Sequence, residues 1–268
     1  MSRILDRFNK LKVKNQSALI PYIMAGDPDL DTTRRLVLEI ERAGADVIEL
    51  GVPFSDPLAD GPTIQRAAIR ALARPVNLAR VFGLVRDIRK DTEIPIILML
   101  YYNLVLKYGE ARFAADARRA GVDGVIIPDL PPEEASALME AAGECGLDVI
   151  FLLAPTSSPD RVRLIAGVSS GFIYYVSLTG VTGARAELDR GIRAMLREIR
   201  KATDKPVCVG FGISTPAQAA MVAGWADGVI VGSAIVKLME DAPDKAGMIK
   251  KVGAFIRGLR RGVNSGAR

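Results

Sequence analysis

The sequence predicts an α/β fold: a closed (β/α)8 barrel of the TIM type, spanning 1–268 as one domain, with an extra N-terminal helix. Three observations lead there. Eight short apolar runs alternate with amphipathic stretches along the whole chain. The runs are rich in Ile, Val and Leu and nearly continuous, as strands are when both faces of a parallel sheet are buried. Eight units over 268 residues fit barrel closure better than an open sheet.

The elements follow in order. Ile4, Leu5, Phe8 and Leu11 recur at helical spacing before the first strand. Strands are expected at 18–25, 47–52, 94–102, 124–128, 148–154, 172–177, 206–213 and 228–236. Helices are expected at 32–43, 63–73, 78–90, 110–120, 133–145, 159–166, 189–201, 216–223 and 246–260. Ser158-Pro159 and Ser214-Thr215-Pro216 are cap signals that open two of them. A Gly-then-Asp turn recurs before several strands, around Asp46, Asp123, Asp148 and Asp227. These aspartates belong to the N-terminal rim of the barrel, where stability is usually encoded, and carry no expected chemistry.

Composition narrows the function. The net charge of +5 comes from Lys and Arg scattered over helices, without a stripe or interleaved aromatics, which argues against a nucleic-acid partner. No apolar run reaches the ~20 residues of a membrane span, and no secretory leader is visible. Cys145 and Cys208 read as two buried free thiols, in keeping with a reducing cytoplasm. The chain has no His, which removes His-based triads and His-ligated metals. No Lys lies inside an expected strand, so a Schiff-base lysine is not expected either. Acid–base work falls mainly on carboxylates, with Tyr open as a helper.

Glu49 is the leading candidate. It alternates with Ile48 and Leu50, which sends it toward the barrel axis while they face the helices. A carboxylate there is costly unless partnered, by a backbone or Tyr donor, or used, and burial raises its pKa toward neutrality. The stiff loop 53–63 can hold Asp60 over the barrel mouth opposite Glu49. Asp56, in the same loop, reads as a turn or interface residue. Asp129 fits either the active rim or loop bracing. Three glycine-bearing turns, Gly180-Val181-Thr182-Gly183, Gly210-Phe211-Gly212-Ile213 and Val231-Gly232-Ser233-Ala234, supply an anion cradle, with Ser233 opening a short helix toward it.

The run Ile48-Glu49-Leu50-Gly51-Val52-Pro53-Phe54-Ser55-Asp56-Pro57-Leu58-Ala59-Asp60-Gly61-Pro62-Thr63 resembles the signature of the tryptophan synthase α subunit family. Tyr101-Tyr102-Asn103, Asp129-Leu130-Pro131 and the glycine turns extend the likeness over essentially the whole chain. The resemblance implies a lyase that splits indole-3-glycerol phosphate into indole and glyceraldehyde 3-phosphate. It implies that Glu49 and Asp60 are the catalytic carboxylates. It matches Tyr22, Ile126, Tyr174 and Phe211 to the indole lining, and Gly183, Gly212, Gly232 and Ser233 to the phosphate cradle. Thr182 matches the loop residue that helps position the carboxylate at 60. Position 22 is Tyr where Phe is common in the family, and 178 is Leu where some members carry Arg. The resemblance further implies no cofactor or metal in this chain, a cytoplasmic location, and a pyridoxal-phosphate β subunit as partner in an α2β2 heterotetramer.

Overall fold

The computed structural model describes residues 2–176, 185–210 and 212–266, with the backbone alone for 185–190. Strands β1 (Ala18–Met24), β2 (Ile48–Gly51), β3 (Ile96–Met99), β4 (Gly124–Ile126), β5 (Asp148–Ile150), β6 (Leu152–Leu153), β7 (Ile173–Val176), β8 (Val207–Gly210) and β9 (Gly228–Val231) form one parallel sheet. Their order is β5-β4-β3-β2-β1-β9-β8-β7-β6. The two outermost strands, β5 and β6, are consecutive in the chain and separated only by Phe151. The sheet therefore curls into a nearly closed barrel, as the sequence leads one to expect.

The expected fifth strand, 148–154, is thus two strands. The physical reason lies in its neighbour. Val149 N–H donates to the Ser170 hydroxyl at 2.7 Å and Phe151 N–H to the Ser169 hydroxyl at 3.3 Å. Side-chain oxygens replace ladder carbonyls there, beside Gly171 with its φ of +72°. Other expected strands overran as well, the seventh among them, which ends at Gly210. The third stops at Met99 and the last at Val231, because a helix begins soon after each.

The helices are α1 (Arg3–Val13), α2 (Leu30–Arg42), α3 (Pro62–Leu72), α4 (Leu78–Ile88), α5 (Tyr102–Tyr108), α6 (Glu110–Ala120), α7 (Ser136–Cys145), α8 (Pro159–Val168), α9 (Arg185–Ala202), α10 (Pro216–Ala223), α11 (Ser233–Glu240) and α12 (Lys245–Ser265). Their starts have local causes. The Ser158 and Thr215 side chains accept from the backbone N–H groups of Arg161 and Gln218, and Pro follows each cap. The short helix α5 was not expected, because Tyr102, Val105 and Tyr108 favour strands. Among the described residues, no helix is long and apolar enough to cross a membrane.

Side-chain alternation divides the core. Leu19, Ile23, Ile48, Leu50, Ile96 and Leu98 face outward and meet the apolar faces of the surrounding helices. Ala18, Ile20, Val47, Ile97, Ile126, Ile150, Phe172, Tyr174, Cys208 and Ile230 fill the barrel interior. The amphipathic helix α1 closes the base, adding Ile4, Phe8 and Leu11 to that interior core. The Phe8 and Phe172 ring centroids lie 5.8 Å apart. Cys208 is buried in this core, whereas Cys145 is only half-buried at the end of α7.

The Gly-Asp turns bind neighbouring units together at the base. Asp46 accepts the Leu19 N–H at 2.9 Å, Asp123 that of Ile96 at 2.9 Å, and Asp227 that of Val207 at 3.0 Å. Each carboxylate before one strand therefore pins the start of the preceding strand in the chain or its sheet neighbour. Asp148 differs and takes the hydroxyl of Ser2, the N-cap of α1. These are stability contacts, as the turn pattern implied.

Candidate active site

The cavity at the C-terminal ends of the strands holds about 440 Å³. Glu49, Tyr22, Met99, Tyr174, Val176, Gly210, Ile230 and Gly232 form its floor and walls. Asp60, Gly61, Pro62, Thr63 and Ile64 come over it from the β2–α3 connection, and Gly212, Ile213 and Ser233 complete the far rim.

Glu49 points inward from β2, level with Tyr22 of β1 and Ile97 of β3. It is 1% exposed, and its Oε2 has no hydrogen-bond partner. Burial, with the nearby Asp60 charge adding to it, pushes its carboxyl up to about 8. An unpartnered buried carboxyl kept neutral at pH 7 is equipped to give up a proton.

Asp60 is held by its own loop. The Asp60 N–H donates to Pro57 O at 3.0 Å, and Gln65 Nε2 donates to Asp60 O at 2.9 Å. The side chain is partly buried, which raises it to about 6, while a hydrogen bond with Tyr101 pulls the other way. Asp60 is then ionised at neutral pH. The Tyr101 hydroxyl accepts the Ala59 N–H at 2.9 Å, and its ring stacks on Phe54 at 5.4 Å. One tyrosine therefore anchors both ends of the stretch that carries Asp60.

Tyr22 and Tyr174 flank Glu49 with flat, buried rings. Burial first, and then nearby carboxylates, keep both hydroxyls firmly protonated. Each ring needs a glycine beside it. A Cβ at Gly51 would lie 2.1 Å from the Tyr22 hydroxyl, and one at Gly210 would lie 2.7 Å from that of Tyr174. The rim opposite Asp60 is the start of α11, where Gly232 precedes Ser233. The first N–H groups of a helix have no partners inside it, so this end attracts anions. Gly212, at φ +33°, lies on the same rim.

The structure thus brings together Tyr22, Glu49, Asp60, Tyr174, Gly212, Gly232 and Ser233. Ile126 faces the barrel interior level with Met99, fully buried, and does not itself line the cavity. Thr182, Gly183 and Phe211 lie outside the described residues. Asp129 accepts the Tyr102 N–H at 2.9 Å, which makes it a brace for the start of α5. Asp56 is exposed and lines a separate surface hollow with Phe54, Leu58 and Ile69.

The profile that describes the tryptophan synthase alpha chain matches residues 8–264. The chain belongs to the tryptophan synthase alpha chain family. The tryptophan synthase alpha chain of Geobacter sp. (strain M21) is 54% identical over 100% of both chains. That of Synechocystis sp. (strain ATCC 27184 / PCC 6803 / Kazusa) is 49% identical, covering 98% of this chain and 100% of its own. The solved tryptophan synthase subunit alpha of Legionella pneumophila str. Paris superposes with a TM-score of 0.91 at 42% identity, over 98% of this chain and 99% of that one. A tryptophan synthase from M. tuberculosis in an aminoacrylate-bound form gives 0.88 at 35% identity over 100% of both.

Met99, Val176, Ile230, Ile64 and Tyr101 line or brace the site in this alpha-chain family member without having been singled out from the sequence. A signal for part of this set was available. Ile97, Met99 and Tyr101 alternate, and the register sets Glu49 beside Ile97 and Gly51 beside Met99. Finding them required knowing which strands are neighbours.

Proposed function

We propose that this chain cleaves indole-3-glycerol phosphate to indole and glyceraldehyde 3-phosphate, acting as one folding unit in the cytoplasm. The observation that carries the reading is the pair of carboxyls with opposite protonation. Glu49, near 8, holds a proton at neutral pH, while Asp60, near 6, carries charge. The two tyrosine rings offer apolar walls for a flat bicycle, and the helix start at Ser233 suits a phosphate.

The bond to break joins ring carbon C3 to a carbon bearing a hydroxyl. Glu49 delivers its proton to C3, which turns the ring into an electron sink. Asp60 accepts a hydrogen bond from the ring N–H and stabilises the positive charge that develops there. The Glu49 carboxylate then takes the hydroxyl proton. The carbonyl of the aldehyde forms, the C3–carbon bond breaks, and its electron pair returns to the ring. Glu49 ends protonated as it began, and no metal or cofactor is called on in this chain. The phosphate grip supplies remote binding energy that orients the reacting carbon.

The partner we propose is a pyridoxal-phosphate β subunit, in an α2β2 assembly that consumes the indole. Leu58 is 85% exposed and Ile69 69% exposed, close to the cavity mouth, which supports a covered surface there. The test is indole release from indole-3-glycerol phosphate, with and without a β subunit. Glu49→Gln should abolish turnover while leaving substrate affinity nearly unchanged. Near-normal cleavage by that variant would reject the assignment, and no effect of an added β subunit would reject the partnership.

A further inference from the structure

On the base of the barrel, far from the cavity just described, a cleft of about 390 Å³ is lined by Arg3, Arg86, Arg89, Arg118 and Arg119. Glu93 is the one acidic side chain in its wall. Beneath it lies Asp123, which is 1% exposed. Arg89 donates to Asp123 at 2.6 Å and Arg3 at 3.0 Å, while Arg118 stands 3.7 Å away. Three guanidinium groups thus share a single buried carboxylate. Arg3 also reaches the exposed Glu93 at 2.6 Å. Arg119 is held by Asp116 at 2.9 Å. Arg86 makes no hydrogen bond or ion pair among the described residues, lending only its field to Asp87, which is paired with Lys90 at 2.7 Å.

The cations are therefore in excess. In the wall and floor of the cleft five arginines face two carboxylates, Glu93 and Asp123, with Asp116, Glu41 and Asp148 acting on them from outside it. Crowding of like charge is felt inside the cleft. Burial draws Arg89 below its usual range and the neighbouring Arg3 adds to it, while Asp123, Glu93 and Glu41 offset it. All five cations are arginine, whose planar fork matches an oxyanion with two parallel hydrogen bonds. The backing is rigid. Arg89 also donates to the carbonyl oxygens of Gly121 and Ile94, at 2.9 and 2.5 Å. Gly121, at φ +98°, leaves room for its stem, since a Cβ there would lie 2.7 Å from the Arg89 Cγ.

We infer that this arginine cleft at the base of the barrel is a binding site for a small multivalent phosphate anion. Arg86, Arg118 and the outer face of Arg3 would contact the oxyanion, with Arg89 fixed behind them by Asp123. The site is independent of the cavity at the opposite rim. Binding there would tie α1, α4 and α6 together at the face that stabilises the fold.

The probe is inorganic pyrophosphate, titrated calorimetrically into the full chain at low salt in a phosphate-free buffer. One bound equivalent is expected whose affinity falls about tenfold or more in Arg86→Ala/Arg118→Ala, the loss of two charge-assisted contacts. The control Arg42→Ala/Arg163→Ala removes the same charge from other helices and should leave that equivalent intact. The cleft variant should keep its melting temperature without ligand and its indole-forming turnover. Should the alanine pair fold poorly, Arg86→Gln/Arg118→Gln reads the same loss. The proposal is overturned if no such equivalent binds, if the cleft variant binds undiminished, or if the control loses as much.

Discussion

Glu49 and Asp60 bracket neutrality, and each limb of a pH profile belongs to one of them. Activity requires Asp60 ionised and Glu49 protonated. The dependence of kcat/KM on pH should therefore be bell-shaped, with limbs near 6 and 8. Part of the upward push on Glu49 is the Asp60 charge, so Asp60→Asn should move the alkaline limb of any residual activity downward. Tyr101→Phe removes a hydrogen bond that favours the Asp60 carboxylate. It should raise the acid limb and lower kcat/KM about tenfold, as loss of one hydrogen bond to a charged group does. An unmoved acid limb would reject that role for Tyr101. The same Glu49 shift has a sign for stability. Below 4.5 both folded and unfolded chains carry its proton, and Glu49→Gln changes little. Between 4.5 and about 8 the unfolded chain ionises while the folded one resists, so the wild type loses stability as pH rises. Glu49→Gln should accordingly melt higher than the wild type at pH 8 and equally at pH 4, measured by thermal unfolding.

At the scale of elements, two joints at the base carry testable weight. Asp123→Ala strips the Ile96 N–H of its acceptor and leaves Arg89 and Arg3 without their shared carboxylate. Removing one partner of a buried ion pair costs about 3–5 kcal/mol, which urea unfolding should show with catalysis in the folded fraction retained. Phe8→Ala opens a cavity where α1 meets Phe172, and the expected loss is about 3 kcal/mol. The eight-unit rhythm and most helices were legible because periodicity and caps are local. The break at Phe151 was not, because hydroxyls from Ser169 and Ser170, distant in sequence, decide it. Nor was α5, whose strand-favouring residues are overruled when Asp129 takes the Tyr102 N–H. In the site, Glu49 announced itself as a lone charge in an apolar strand. Tyr101 did not, since its value lies in what it touches across the β3–β2 boundary. Ile126 faces inward as its strand position implies, level with Met99, although it does not itself line the cavity.

Across the whole molecule, the two ends of the barrel do different things. The base is knotted by aspartates and arginines; the opposite rim holds the carboxyl pair and the open helix start. Among the exposed apolar residues, Leu58 and Ile69 sit by the loop that carries Asp60, where a second protein would cover them. Ile69→Asp, on the outer face of α3, should leave indole formation by the isolated chain unchanged and weaken its stimulation by a β subunit; equal stimulation would place the contact elsewhere. The plug formed by α1 has one more consequence, for the order of events during synthesis. Ile4, Phe8 and Leu11 leave the ribosome well ahead of Phe172, Cys208 and Ile230, with which they share a core. The segment that becomes α1 therefore waits for those strands before it can dock, and its bare greasy stripe stands to gain from a chaperone meanwhile.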